Sequence, residues 1–199
     1  VEDPSPHIRD TAAPAYTERL RRAADSLTVV KQAPYRAHIA SLRLGTILDL
    51  GCGIGRNLAH NGGRGVGIDH NPTSVAVARE RGLQTFTPDE FAASPFSAQT
   101  YDAILCAHVA EHLDRATFVD FAATYLPLLA RGGRFVLITP QQRGFASDPT
   151  HVRYIDFAGQ RDLFDALGLS IERSYSFPFP AFAGGVFTYN EFVGIARKP

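Results

Sequence analysis

Two short strings in the 199-residue sequence set chemically useful residues at regular spacing. The first is Ile47-Leu48-Asp49-Leu50-Gly51-Cys52-Gly53-Ile54-Gly55. An apolar run entering Gly-x-Gly-x-Gly reads as a strand opening into a loop whose backbone passes close under a flat ligand, where a Cβ would obstruct. A phosphate-gripping loop needs Gly-Lys-Ser/Thr after its glycines, and Gly55 is followed by Arg56-Asn57, so that reading fails. The dinucleotide fingerprint needs Gly or Ala three residues after the second glycine. Counted from Gly51 and Gly53, that position is Arg56, which makes a dinucleotide a weak match.

The second string is His108-x-x-Glu111-His112, which matches the H-x-x-E-H of one zinc-peptidase class. Those peptidases need both histidines on one helix face with the glutamate as base. Here the string directly follows a buried strand and the helix begins only at Asp114, so the peptidase reading is poor. His151 lies in the loop Ser147-Asp148-Pro149-Thr150-His151-Val152-Arg153-Tyr154 and suits base work near neutral pH. Arg143, Arg153 and Tyr154 are candidates for holding an anionic acceptor, against the plainer reading of solvated loop residues.

The elements that must position these residues follow an α/β pattern. Thr46 to Leu50, Arg64 to Asp69, Leu83 to Thr87, Tyr101 to Cys106 and Arg134 to Thr139 read as strands. Asn71-Pro72 supplies an N-cap and a first-turn proline, and Gly82 a stop, for one helix. Asp114 caps another, with Phe118, Phe121, Ala122, Tyr125 and Leu126 at helical spacing, ended by Gly132-Gly133. Phe157 to Leu167 is a further helix stopped by Gly168. Leu169 to Phe177 alternates as an edge strand should, and Thr188 to Arg197 is a last strand, antiparallel because a Pro/Gly-rich loop precedes it. Ala15 to Leu27 and Pro34 to Leu42 read as amphipathic helices. The sum predicts a doubly wound α/β sheet with an antiparallel hairpin at one edge, binding its ligand beyond the carboxyl ends of the strands.

Composition narrows the function. Twenty basic and 20 acidic residues cancel, and pI ≈ 7.2 argues against a dedicated nucleic-acid or anionic-membrane binder. No apolar stretch approaches the ~18 residues of a membrane span, and no signal-peptide pattern opens the chain. Val1 and the absence of Met lead us to expect that the natural start is missing. Two cysteines, Cys52 and Cys106, are too few for a disulfide framework, so free thiols in a reducing cytoplasm are expected.

The pattern Asp49-x-Gly51-x-Gly53-x-Gly55 resembles the first motif of the class I S-adenosylmethionine (SAM)-dependent methyltransferases. Four further segments extend the resemblance across residues 46–140: Gly65-Val66-Gly67-Ile68-Asp69; Phe86 to Phe96; Tyr101 to Leu113; and Leu128-Leu129-Ala130-Arg131-Gly132-Gly133-Arg134, in which Ala130-Arg131 departs from the family's usual Lys-Pro. The resemblance implies a seven-stranded Rossmann-like methyltransferase fold at 46–199 behind an N-terminal helical lid at 1–45. It implies SAM as cofactor and S-adenosylhomocysteine as product, held over Asp49, Gly51, Cys52, Gly53 and Gly55. Asp69 would take the ribose hydroxyls, with His70 beside it; Asp89, Glu90 and Phe91 would take the adenine. The backbone from Cys106 to His108 would take the methionine amine. His151 and His108 are the expected catalytic residues, for an acceptor that is a small or lipid-like molecule.

Glu111-His112-Leu113 also resembles a string in many metal-free small-molecule members, so no metal is expected. The runner-up is a metal-dependent RNA 2′-O-methyltransferase using His108, Glu111, His112 and His151. A third reading is a SAM-binding protein without transfer activity. Phe177-Pro178-Phe179-Pro180-Ala181-Phe182, Tyr189-Asn190-Glu191 and Tyr16 are candidates for lining an apolar acceptor pocket.

Overall fold

A computed structural model describes Thr17, Glu18 and residues 29–199. The expected helix over Ala15 to Leu27, the lid it would form and Tyr16 therefore lie almost wholly outside the described residues. Seven strands make one mixed sheet in the order β3-β2-β1-β4-β5-β7-β6. The chain divides into two compact units, up to Gln99 and from Thr100 onward.

In the first unit, α1 (Val29–Ser41) starts earlier than its expected Pro34 and carries that proline inside. It leads to β1 (Ile47–Leu50), buried at every residue, which pairs in parallel with β2 (Gly65–Ile68), Ile47 opposite Gly65 and Leu50 opposite Ile68. The short α2 (Arg56–His60) follows the glycine loop. Helix α3 (Pro72–Glu80) begins where Asn71 Oδ1 accepts the Thr73 and Ser74 N–H groups, and its end turns at Gly82 with φ 78°. Strand β3 is only Thr85–Phe86, shorter than the expected Leu83 to Thr87. Leu83 gives its N–H to Ala78 of α3, and Thr87 is already the cap of α4 (Pro88–Ala92).

In the second unit, β4 (Tyr101–Ala107) pairs in parallel with β5 (Leu129–Pro140). Between them α5 (Arg115–Tyr125) is capped by Asp114, whose carboxylate accepts the Thr117 N–H. Strand β5 begins five residues before its expected start at Arg134, and Gly132-Gly133 lies inside it instead of ending the preceding segment. The Gly132 N–H donates to Lys198 O and the Lys198 N–H to Gly133 O, so the ladder runs through the glycines. After α6 (Gln142–Ala146) and α7 (Phe157–Ala166) come β6 (Ser170–Phe177) and β7 (Glu191–Arg197). Strand β7 is antiparallel to both β5 and β6. It starts later than Thr188, because Asn190 closes a turn onto Phe187 O. No helix among the described residues is long and apolar enough to cross a membrane.

Candidate active site

The first unit carries the glycine loop. Gly51, Gly53 and Gly55 adopt φ of 70°, 53° and 79°, a region that side chains with a Cβ rarely enter. The loop is tied to the end of β2: Gly51 and Cys52 give their N–H groups to Ile68 O, and Gly53 gives its own to Asp69 Oδ2 at 2.8 Å. The other Asp69 oxygen accepts the Asn71 N–H, also at 2.8 Å. Each carboxylate oxygen keeps a further lone pair, so Asp69 can still accept two hydroxyls.

Asp49 is 1% exposed, and its Oδ2 has no hydrogen-bond partner. Burial, with the Asp69 charge added, pushes its carboxyl up to about 7; a Leu58 N–H and the Arg56 charge oppose this only in part. An unsatisfied buried acid under a glycine loop fits a cofactor that brings positive charge, as a sulfonium with an ammonium group does. It fits a pyrophosphate badly. Cys52 is buried, and burial raises its thiol well above the usual range, which makes it a filler and not a nucleophile. His70 is exposed, 3.8 Å from Asp69.

The three residues expected at the adenine separate. Phe91 is buried, its ring edge-on to Phe86. Asp89 is exposed in the first turn of α4. Glu90 is already engaged: Oε2 takes the Thr87 N–H in a capping box, and Arg79 grips both oxygens. The string Thr87-Pro88-Asp89-Glu90 carries the Thr-x-x-Glu box pattern, a signal in the sequence that identifies Glu90 as a cap.

The second unit carries the histidine cluster. His108, directly after β4, holds a left-handed backbone with φ 60°, a strain of about 1–3 kcal/mol. Its Nδ1 lies 3.2 Å from Glu111 Oε1 and its Nε2 2.8 Å from Glu191 Oε1. Burial opposes the imidazolium, but hydrogen bonds and charge from both glutamates outweigh it and raise His108 to about 10. Burial likewise opposes ionisation of Glu111, and His108 still holds its carboxyl below the ordinary value.

His151 has a ring only 8% exposed, stacked on Phe145; its Nδ1 donates to Phe145 O at 2.8 Å. The loop histidine is thus held by packing and by its Nδ1 hydrogen bond. Cys106 is wholly buried, and burial lowers His112. The ion pair of His108 with Glu191 spans 83 residues, and no local signal in the sequence could have announced it.

The Asp49 shift has a definite sign. Its folded value lies above the unfolded one, so the group favours folding below about pH 3.8, and that contribution is lost as pH rises through about 7. In thermal unfolding of the ligand-free chain, the stability of the wild type relative to Asn at position 49 (D49N) should fall between about pH 4 and 7. Parallel curves for the two proteins would contradict the assignment.

Residues 47–133 match the methyltransferase domain family. No curated protein matches the chain in sequence. Among solved structures, a TehB-like SAM-dependent methyltransferase from Corynebacterium glutamicum is 20% identical, with TM-score 0.69 over 94% of this chain and 100% of that one. The magnesium protoporphyrin IX methyltransferase of Synechocystis, solved with S-adenosylhomocysteine bound, is 16% identical, with TM-score 0.67 over 96% of this chain and 98% of that one. Its SAM-bound form gives the same TM-score at 15% identity, over the whole of both chains. These likenesses show the fold, and the family match falls on the segment that holds the glycine loop, Asp69 and the histidine string. The chain therefore shares the fold of the class I SAM-dependent methyltransferases, and its residues 47–133 carry the match to the methyltransferase domain.

Proposed function

We propose that this enzyme carries the methyl group of SAM to a small, apolar or lipid-like acceptor in the cytoplasm. The observation that carries the acceptor class is the loop before β7. Phe182 is 86% and Val186 77% exposed. Beside them in sequence, Phe179, Phe187 and Tyr189 pack edge to face, with ring centroids 5.2 and 5.8 Å apart. Asn190 fixes the loop, accepting the Phe179 N–H and reaching the Phe179 and Pro180 carbonyls. Residues 177–190 include no charged side chain, a surface suited to apolar matter and not to the phosphates of an RNA.

When bound, SAM supplies an electrophilic methyl group, so the protein's task is alignment and exclusion of water, worth up to ~7–11 kcal/mol. We assign the floor of the cofactor site to Gly51, Gly53 and Gly55, with Cys52 filling beneath. Asp49 offers negative charge to the methionine end. The free lone pairs of Asp69 accept the ribose hydroxyls, with His70 alongside. Asp89 and Phe91 serve the adenine. The backbone from Cys106 to His108 takes the amine.

We assign His108 and His151 to the acceptor end, where the His108 ring is held between two glutamates and the His151 ring is packed and only 8% exposed. His108 already holds its proton, and His151 turns its open nitrogen toward Glu111. The acceptor atom is therefore one that is nucleophilic without a base: a carboxylate, a thiolate or a neutral amine.

Two measurements test this. Asp69→Ala should weaken S-adenosylhomocysteine binding by ~1–3 kcal/mol in a calorimetric titration, because it removes charge-assisted hydrogen bonds; unchanged affinity would misplace the ribose. With methyl-labelled SAM and a cell extract, label should enter the solvent-extractable small molecules. Phe182→Ser should raise the acceptor KM several-fold without changing S-adenosylhomocysteine affinity. Label recovered in RNA would overturn the acceptor class.

A further inference from the structure

Glu111, His112 and His151 each offer a ligand atom, and these atoms all lie within 4.8 Å of one another. The hydrogen bonds around them dictate which atoms are free. A carbonyl oxygen only accepts, so His151 carries its proton on Nδ1, which donates to Phe145 O at 2.8 Å. Its Nε2 is left with a bare lone pair. His112 repeats the arrangement, with Nδ1 3.2 Å from Thr150 O and 3.1 Å from Thr150 Oγ1. That hydroxyl spends its own proton on Asp148 Oδ1, at 2.7 Å, so it too accepts from His112.

Both rings are thus fixed in the tautomer that presents Nε2 as an acceptor. A backbone carbonyl on the far nitrogen is the usual support of a metal-ligating histidine. Facing them is a wholly buried carboxylate. Its Oε1 lies 3.9 Å from His151 Nε2, too far for a hydrogen bond, and its Oε2 has no partner. Acceptors converge there with no donor for Oε2, which favours a cation among them.

We propose that Glu111, His112 and His151 form a site for a divalent transition-metal ion, with zinc the best fit. Two imidazoles and one carboxylate match zinc and its neighbours and disfavour magnesium or calcium, which take oxygen ligands. Zinc–ligand bonds of about 2.0–2.2 Å bring ligand atoms to roughly 3.5 Å of one another, a small contraction from the separations here. The backbone already holds the site together: the Val152 and Arg153 N–H groups both donate to Glu111 O. A bound ion would clamp the turn at Ala110–His112 to the loop at 148–153. This departs from the metal-free expectation drawn from the sequence, and it is independent of the acceptor class.

The test uses the tag-free full chain, stripped by chelation and without SAM. Zinc chloride titrated by calorimetry should bind at one equivalent with micromolar or tighter affinity, and millimolar magnesium should not compete. His112→Gln and His151→Gln should each weaken binding by about tenfold or more, while His60→Gln, in α2, leaves it unchanged. Should either variant unfold, cobalt(II) absorption of the wild type decides: intense tetrahedral bands without thiolate charge transfer support the site. No stoichiometric uptake, a thiolate-to-cobalt band, or uptake retained in both histidine variants would overturn it.

Discussion

The constraint on which the cofactor half depends is the negative charge beneath the glycine loop. Asp49 is buried on β1 with one oxygen unpaired, and the Asp69 charge raises its carboxyl further. Without a ligand, that position is relieved by taking up a proton; a cationic ligand relieves it instead. The three left-handed glycines let the loop turn back over the strand ends, and Asp69 pins it by the Gly53 N–H. Gly67 leaves Cys52 its room, since a Cβ there would stand 2.7 Å from the thiol sulfur. Strand, loop and acid form one device, in which replacing a glycine disturbs the charge and neutralising the charge disturbs the fit.

The second unit solves a different electrostatic problem. Two carboxylates, Glu111 and Glu191, come from distant parts of the chain, and His108 bridges them as an imidazolium, offsetting one of their two charges. The left-handed backbone of His108 turns its ring toward both. Once that proton is fixed, base catalysis by His108 is lost at neutral pH, which is why the proposed acceptor is one already nucleophilic. Alignment is then the enzyme's main contribution, as an activated methyl donor allows.

The sequence was most legible where signals are local. Asn71-Pro72 and Gly82 bracketed α3, Asp114 announced α5, and the apolar runs located β1, β2 and β4. Errors fell where an N–H has two plausible uses. Thr87 reads as a strand end, but it caps α4 and cuts β3 to two residues. Gly132-Gly133 reads as a stop, yet hydrogen bonds to Lys198 carry β5 through it. The candidate site was legible in its glycine loop and Asp69, because the chain itself brings them together. The pairing of His108 with Glu191 was not, since only the finished sheet makes them neighbours, and neither was the stacking of His151 on Phe145, which is a tertiary contact.

The most direct test of the central claim is proton linkage of cofactor binding at Asp49. SAM should be titrated into the chain near pH 6.5 in buffers of different ionisation enthalpy. A cation entering beside a carboxyl that titrates near 7 should expel its proton. The account predicts net release of a substantial fraction of one proton per SAM bound, abolished in D49N. Heats independent of buffer, or the same release from D49N, would contradict it.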